Sequence, residues 1–123
     1  MSSEPWEEYV RKYKGRIQEV ISAFETAYLK IGFTGQLIEN KDQVAFSLLK
    51  DDLADEYSLQ GVWSYASGYK QGMLLIHPNG SFYAEYDVVK PHPSKKQWFV
   101  EAITVWGDKS SIKSEPKLLP AVE

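Results

Sequence analysis

Cysteine is absent from the 123 residues. No disulfide can staple the fold, and no thiolate can act as nucleophile or metal ligand. That fits a reducing compartment, and a cytoplasmic location is expected. Histidine occurs only twice, at His77 and His92, each beside a proline in a turn signal. Two histidines without helical i, i+4 spacing make no zinc signature, and both read as exposed turn residues. No serine sits in a Gly-x-Ser-x-Gly elbow. Residues 68–72, Gly-Tyr-Lys-Gln-Gly, place the lysine before the second glycine, whereas a phosphate-cradling loop needs it directly after. No cofactor and no bound metal are expected.

Positive charge is not in excess. The net charge is -3, which argues against nucleic acid as a general partner. No apolar run is long enough to span a bilayer, and the polar, acidic N-terminus shows no signal peptide. The expectation is a soluble protein with no membrane partner. Hydrophobic content of 43% and aromatic content of 14% suffice for one packed core.

Three β-rich runs between Gly72 and Gly107 dominate what is there. The first two flank His77-Pro78-Asn79-Gly80-Ser81. Pro78 cannot donate to a ladder, so a three-residue loop is expected, with Pro78 at the first turn position and Gly80 left-handed. This register pairs Ile76 with Phe82 and Leu74 with Ala84. It gathers Phe82, Ala84, Tyr86 and Val88 into an uncharged row and leaves Tyr83, Glu85 and Asp87 on the other face. The second turn runs from Lys90 to Lys96, with two prolines and three lysines. Beyond it, Trp98, Val100, Ala102, Thr104 and Trp106 form an uncharged row, placed on the core face. A centred hairpin then sets Val88 against Trp98, Ala84 against Ala102, and Glu85 against Glu101.

The preceding chain supplies a helix. Val10, Tyr13, Ile17, Val20, Ile21, Phe24, Tyr28 and Ile31 trace one helical face. Ser3, Pro5 and early acids mark its start, and Gly32 its stop. One long helix is expected from about residue 4 to 31, with Gly15 as a point of bending. The basic cluster of Arg11, Lys12, Lys14 and Arg16 reads as a solvated helix face. Residues 33–40 read as a first strand, joined by a hairpin through residues 40–43 to a second carrying Val44, Phe46 and Leu48. The acidic run at residues 50–56 lacks the spacing of a calcium loop and reads as a solvated turn. Residues 57–66 alternate as a further strand, inward on Tyr57, Leu59, Gly61, Trp63 and Tyr65. Residues 108–123, interrupted by Pro116 and Pro120, read as an irregular tail.

The expected fold is α+β: one long N-terminal helix on a twisted antiparallel sheet of about five or six strands in meander order. Residues 1–107 form the domain and 108–123 the tail. A helix followed by such a meander resembles cystatin-like folds in element order alone, which implies architecture and leaves function open.

One helix covers only one sheet face. The other is expected to carry Met73, Leu75, Tyr83, Phe99, Ile103 and Val105, too apolar for a face wholly open to water. The expected function is a non-enzymatic protein-interaction module, such as an inhibitor, an immunity-type protein or an assembly subunit. Its partner would be a protein, with a second copy in a homodimer as the simplest choice. The tail, through Ile112, Leu118 and Leu119, could instead fold back over the patch. The alternative is a small-ligand binder or enzyme with its cavity between helix and sheet, or around Glu85 and Glu101. Two carboxylates facing each other across strands could act as acid and base, or hold a metal.

Overall fold

The computed structural model describes residues 5–38, 44–50, 57–64 and 69–120. Two helices, α1 (Pro5–Lys12) and α2 (Lys14–Ile31), precede six strands. These are β1 (Val44–Lys50), β2 (Tyr57–Ser64), β3 (Lys70–Ile76), β4 (Phe82–Pro91), β5 (Trp98–Asp108) and β6 (Ser111–Pro120). They form one antiparallel sheet in meander order, with β1 and β6 at its edges. The class is α+β, with a small helical layer on one side of the sheet.

The single long helix is interrupted. Tyr13 leaves helical geometry at φ -102°, ψ 14°, although the Tyr13 N–H still reaches the Tyr9 carbonyl at 2.9 Å. The break lies two positions before Gly15. A rigid rod cannot follow a twisted sheet along its whole length, and a bend near a glycine is inexpensive. It lets α1 lie over β1 and β2 while α2 crosses towards β5 and β6. The Trp6 ring stacks on Phe46 at 6.1 Å, and Tyr9 meets Tyr57 edge-on at 6.4 Å. The helix stop falls where expected. Gly32, at φ 122°, donates to the Leu29 carbonyl, and the Phe33 N–H reaches Tyr28 at 3.3 Å, closing a Schellman turn.

Residues 33–38 are not a strand. The Glu25 carboxylate on α2 accepts the N–H groups of Leu37 and Ile38, both at 2.9 Å. Phe33 stacks on Tyr28 at 4.7 Å, while Leu37 and Ile38 are buried. The apolar alternation therefore plugs the end of the core. The expected hairpin at residues 40–43 and the acidic turn beyond Lys50 lie outside the described residues.

The β3–β4 hairpin has the expected register, with Ile76 opposite Phe82 and Leu74 opposite Ala84. Gly80 sits at φ 93°, the His77 N–H donates to the Ser81 carbonyl, and Asn79 Oδ1 accepts from the Ser81 N–H and Oγ–H. The core lies between this half of the sheet and α2. Phe24 meets Trp63 edge-on at 6.2 Å and Tyr86 at 5.7 Å, and Leu59, Leu74, Ile76 and Ala84 are fully buried around them.

The centred β4–β5 hairpin is corrected. Glu85 faces Thr104, Tyr86 faces Ile103, and Ala84 faces Val105. A bulge makes Val88 and Val89 together oppose Glu101, and the β5–β6 register also slips by one at Glu101. One extra residue inverts the alternation beyond it. Ile103 and Val105, expected outside, are fully buried in the core; Thr104 and Trp106, expected inside, lie on the outer face. Val100 is buried on the core face as expected; Ala102, expected there too, is buried but lies on the outer face opposite Asp87, and Trp98 is half-exposed.

The irregular tail is also corrected: residues 111–120 pair with β5 as β6. Proline is admissible there because β6 is an edge strand, with one side free of ladder partners. The hairpin into it is fixed by Asp108 Oδ1, which accepts from the Ser110 N–H and from the Ser110 and Ser111 hydroxyls. Those bonds hold the Asp108 carboxyl below its usual range.

Candidate interaction face

The strand registers define the outer face row by row. One row runs Ala45, Val62, Met73, Glu85, Thr104, Glu115 from β1 to β6. The next runs Ser47, Gln60, Leu75, Tyr83, Trp106, Lys113. A third, shorter row sets Asp87, Ala102 and Lys117 side by side. Val62, Met73, Leu75, Tyr83 and Trp106 are thus contiguous, with Glu85, Thr104 and Glu115 closing the first row and Ser47, Gln60 and Lys113 flanking the second. Both helices pack on the opposite face, where the core residues of β2 to β5 point, while buried Ser58 and Ala102 belong to the outer rows. β6 adds to the sheet edge instead of folding across this face, leaving Ile112 and Leu119 well exposed and Leu118 packed against the core.

Of the residues expected here, Met73 and Leu75 lie at the centre of the patch and are half-buried. Tyr83 is 42% exposed beside them. Phe99 lies at the far end of β5, opposite Pro91 and Leu119, away from this group. Ile103 and Val105 belong to the core, for the reason given by the bulge. Val62 and Trp106 complete the patch and were missed. Trp106 carried a usable signal: the Gly-Asp-Lys-Ser-Ser sequence after it makes a tight turn, which implies a further strand and another pairing edge.

Charge surrounds the patch on its β4–β6 side. The Tyr83 hydroxyl donates to Glu85 Oε2 at 2.9 Å. That bond, with partial burial and the Glu85 charge, raises the Tyr83 phenol above its ordinary pKa. Burial, then the charges of Glu85 and Glu101, raise the Asp87 carboxyl above the usual value, with Lys70 and Lys117 opposing. Lys117 Nζ lies 3.3 Å from Glu101 Oε2, and this contact raises the lysine's pKa.

Glu85 and Glu101 are therefore not opposed across strands. They share a neighbourhood centred on Asp87 and Lys117, and Glu101 is ion-paired there. A shallow depression opens beside them, lined by Tyr83, Glu85, Thr104, Trp106 and Lys117. Its walls offer hydrogen-bonding groups and one indole face.

The two histidines have structural partners. His77 Nδ1, just past the end of β3, and Ser58 Oγ on β2 lie 2.9 Å apart, and Ser58 is buried. His92 Nδ1 accepts the N–H groups of Ser94 and Lys95, capping the β4–β5 turn. In the basic cluster, Arg16 donates to the Asp108 and Lys109 carbonyls and lies over Phe82 at 4.7 Å, which ties α2 to the β5–β6 turn. Among the described residues, no three metal-binding His, Asp or Glu side chains come together. No described helix is long and apolar enough to cross a membrane.

Comparison of the chain with protein-family models, with curated proteins and with solved structures returned no match.

Proposed function

We propose that this protein is a non-enzymatic interaction module that docks a protein partner on its outer sheet face. The observation that carries this reading is the contiguous patch of Val62, Met73, Leu75, Tyr83 and Trp106, over which no described helix or strand packs. Clustered apolar side chains on one open face, rimmed by charge, suit a protein interface. Tyr and Trp supply large contact area at low entropic cost, and Glu85, Lys113 and Lys117 at the rim would set orientation. A second reading, a small ligand in the depression beside Tyr83 and Glu85, draws on its hydrogen-bonding walls.

The test is affinity capture from the source cells with wild type and with Tyr83→Glu. Tyr83 is half-exposed, so this variant keeps the core intact. A stoichiometric protein held by wild type and lost by Tyr83→Glu is the expected result. A partner retained equally by both, or a co-purifying small molecule in place of a protein, would overturn the reading.

A further inference from the structure

The two edges of the sheet are built differently. β6 carries Pro116 and Pro120, with Lys117 between them and Lys113 ahead of them. Proline and lysine are the usual means of keeping an edge from pairing with another chain. β1, Val-Ala-Phe-Ser-Leu-Leu-Lys, has no proline and no charge before its last residue. Its side facing away from β2 pairs with no other strand among the described residues. Its side chains are correspondingly open: Leu49 is 41% exposed, and Val44, Phe46 and Leu48 are only half-buried. Unpaired backbone donors and acceptors along such an edge call for one kind of occupant, another extended strand.

The pattern of β1 fits a second copy of itself. Consider a two-fold axis normal to the sheet. It keeps both helical layers on the same side, so each residue must face one of the same row. Opposite residues in an antiparallel pair share a face, so the axis must pass through a residue and not between two. Centred on Ser47, the register uses the whole strand. Phe46 meets Leu48 of the second copy on the core side, and Ala45 meets Leu49 on the outer side. Lys50 falls beside Val44, so the two lysines lie at opposite ends. Centring on Phe46 or Leu48 shortens the pairing, and the latter sets Lys50 against Phe46.

We propose that this protein forms a two-fold homodimer by antiparallel β1–β1 pairing centred on Ser47. The product is one continuous twelve-stranded sheet. Its helices lie together on one side, and the outer face of each copy extends into that of the other through Ala45 and Leu49. This is distinct from the docking of a partner on the patch around Tyr83, which stays open in the dimer.

The absence of cysteine makes the test direct. Ser47→Cys places one thiol per chain on the axis, where opposed Cβ atoms lie about 4.5–5.5 Å apart. A short bis-maleimide should then give a covalent dimer. Lys113→Cys, on the opposite edge strand, should stay monomeric under the same treatment. Ser47 is exposed, so Ser47→Lys should keep the fold by circular dichroism while opposing two charges on the axis. Sedimentation equilibrium should show a wild-type dimer, weakened several-fold by Ser47→Lys and unchanged by Tyr83→Glu. A wild-type monomer at all concentrations would overturn the proposal. So would a dimer dissociated by Tyr83→Glu and indifferent to Ser47→Lys, which would mean that the outer face self-associates instead.

Discussion

Phe24→Ala tests the packing on which everything else rests. Phe24 is fully buried, and its ring touches Trp63 edge-on and Tyr86 at a tilt, joining α2 to β2 and β4. An aromatic side chain buries at least roughly 150 Å². At about 25 cal/mol per Å² that is worth about 4 kcal/mol, an upper value because alanine keeps part of the area and the unfolded chain hides some. Lost ring–ring contacts of about 0.5–1.5 kcal/mol each, and the cavity left behind, act the other way. The expected loss is about 3–5 kcal/mol. Domains of this size are stable by about 5–15 kcal/mol in all, so the variant should remain folded but lose a large share. With about 4 °C per kcal/mol for a chain of this length, its melting temperature should fall by about 12–20 °C. Urea unfolding should show a lower midpoint at unchanged slope. Phe24→Leu, which refills much of the space, should recover most of the loss. A Phe24→Ala melt within a couple of degrees of wild type would refute the placement of α2 on the sheet.

Three further outcomes are expected. Glu25→Ala leaves the Leu37 and Ile38 N–H groups without their carboxylate, at a cost of about 1.5–3 kcal/mol; amide exchange at these two positions should quicken most, and unchanged exchange would remove Glu25 as the latch. Val89 holds a positive φ of 52° at the β4 bulge, uncommon for a β-branched residue, and its side chain is largely exposed. Val89→Gly should therefore raise the melting temperature by relieving about 1 kcal/mol of strain, and a fall would count against the left-handed bulge. The raised Asp87 carboxyl predicts that Asp87→Asn is more stable than wild type at neutral pH. The sign follows from linkage: a carboxyl whose folded pKa is raised contributes stability below its unfolded pKa and loses it as pH rises through the folded value. The advantage of Asp87→Asn should vanish below the ordinary aspartate value, and an advantage that is flat with pH would exclude titration of Asp87 as its cause.

Features governed by neighbours along the chain were legible before any fold was known. Pro78, Asn79 and Gly80 admit one loop length, and that loop sets the β3–β4 register. Gly32 ends the helix because its left-handed conformation is open to glycine and closed to most other residues. The row of Phe82, Ala84, Tyr86 and Val88 is inward because the alternate row carries Glu85 and Asp87. Helix-then-meander order follows from the change of hydrophobic period after Gly32.

Tertiary structure decided the rest wherever two local readings were close in energy. In β5 the row that carries Glu101 is otherwise apolar, so strict alternation put Thr104 and Trp106, and not Ile103 and Val105, towards α2. The bulge opposite Glu101 reversed it, and with it the make-up of the outer patch. Residues 33–38 alternate like a strand, yet two hydrogen bonds donated to Glu25, more than ten positions earlier, hold them as a plug. Pro116 and Pro120 would disrupt a central strand, but an edge strand needs donors on one side only, and only the assembled sheet puts β6 at the edge. In each case the deciding partner is distant in sequence. Local propensities of a few tenths of a kcal/mol cannot outweigh burial and hydrogen bonds worth about 1–3 kcal/mol.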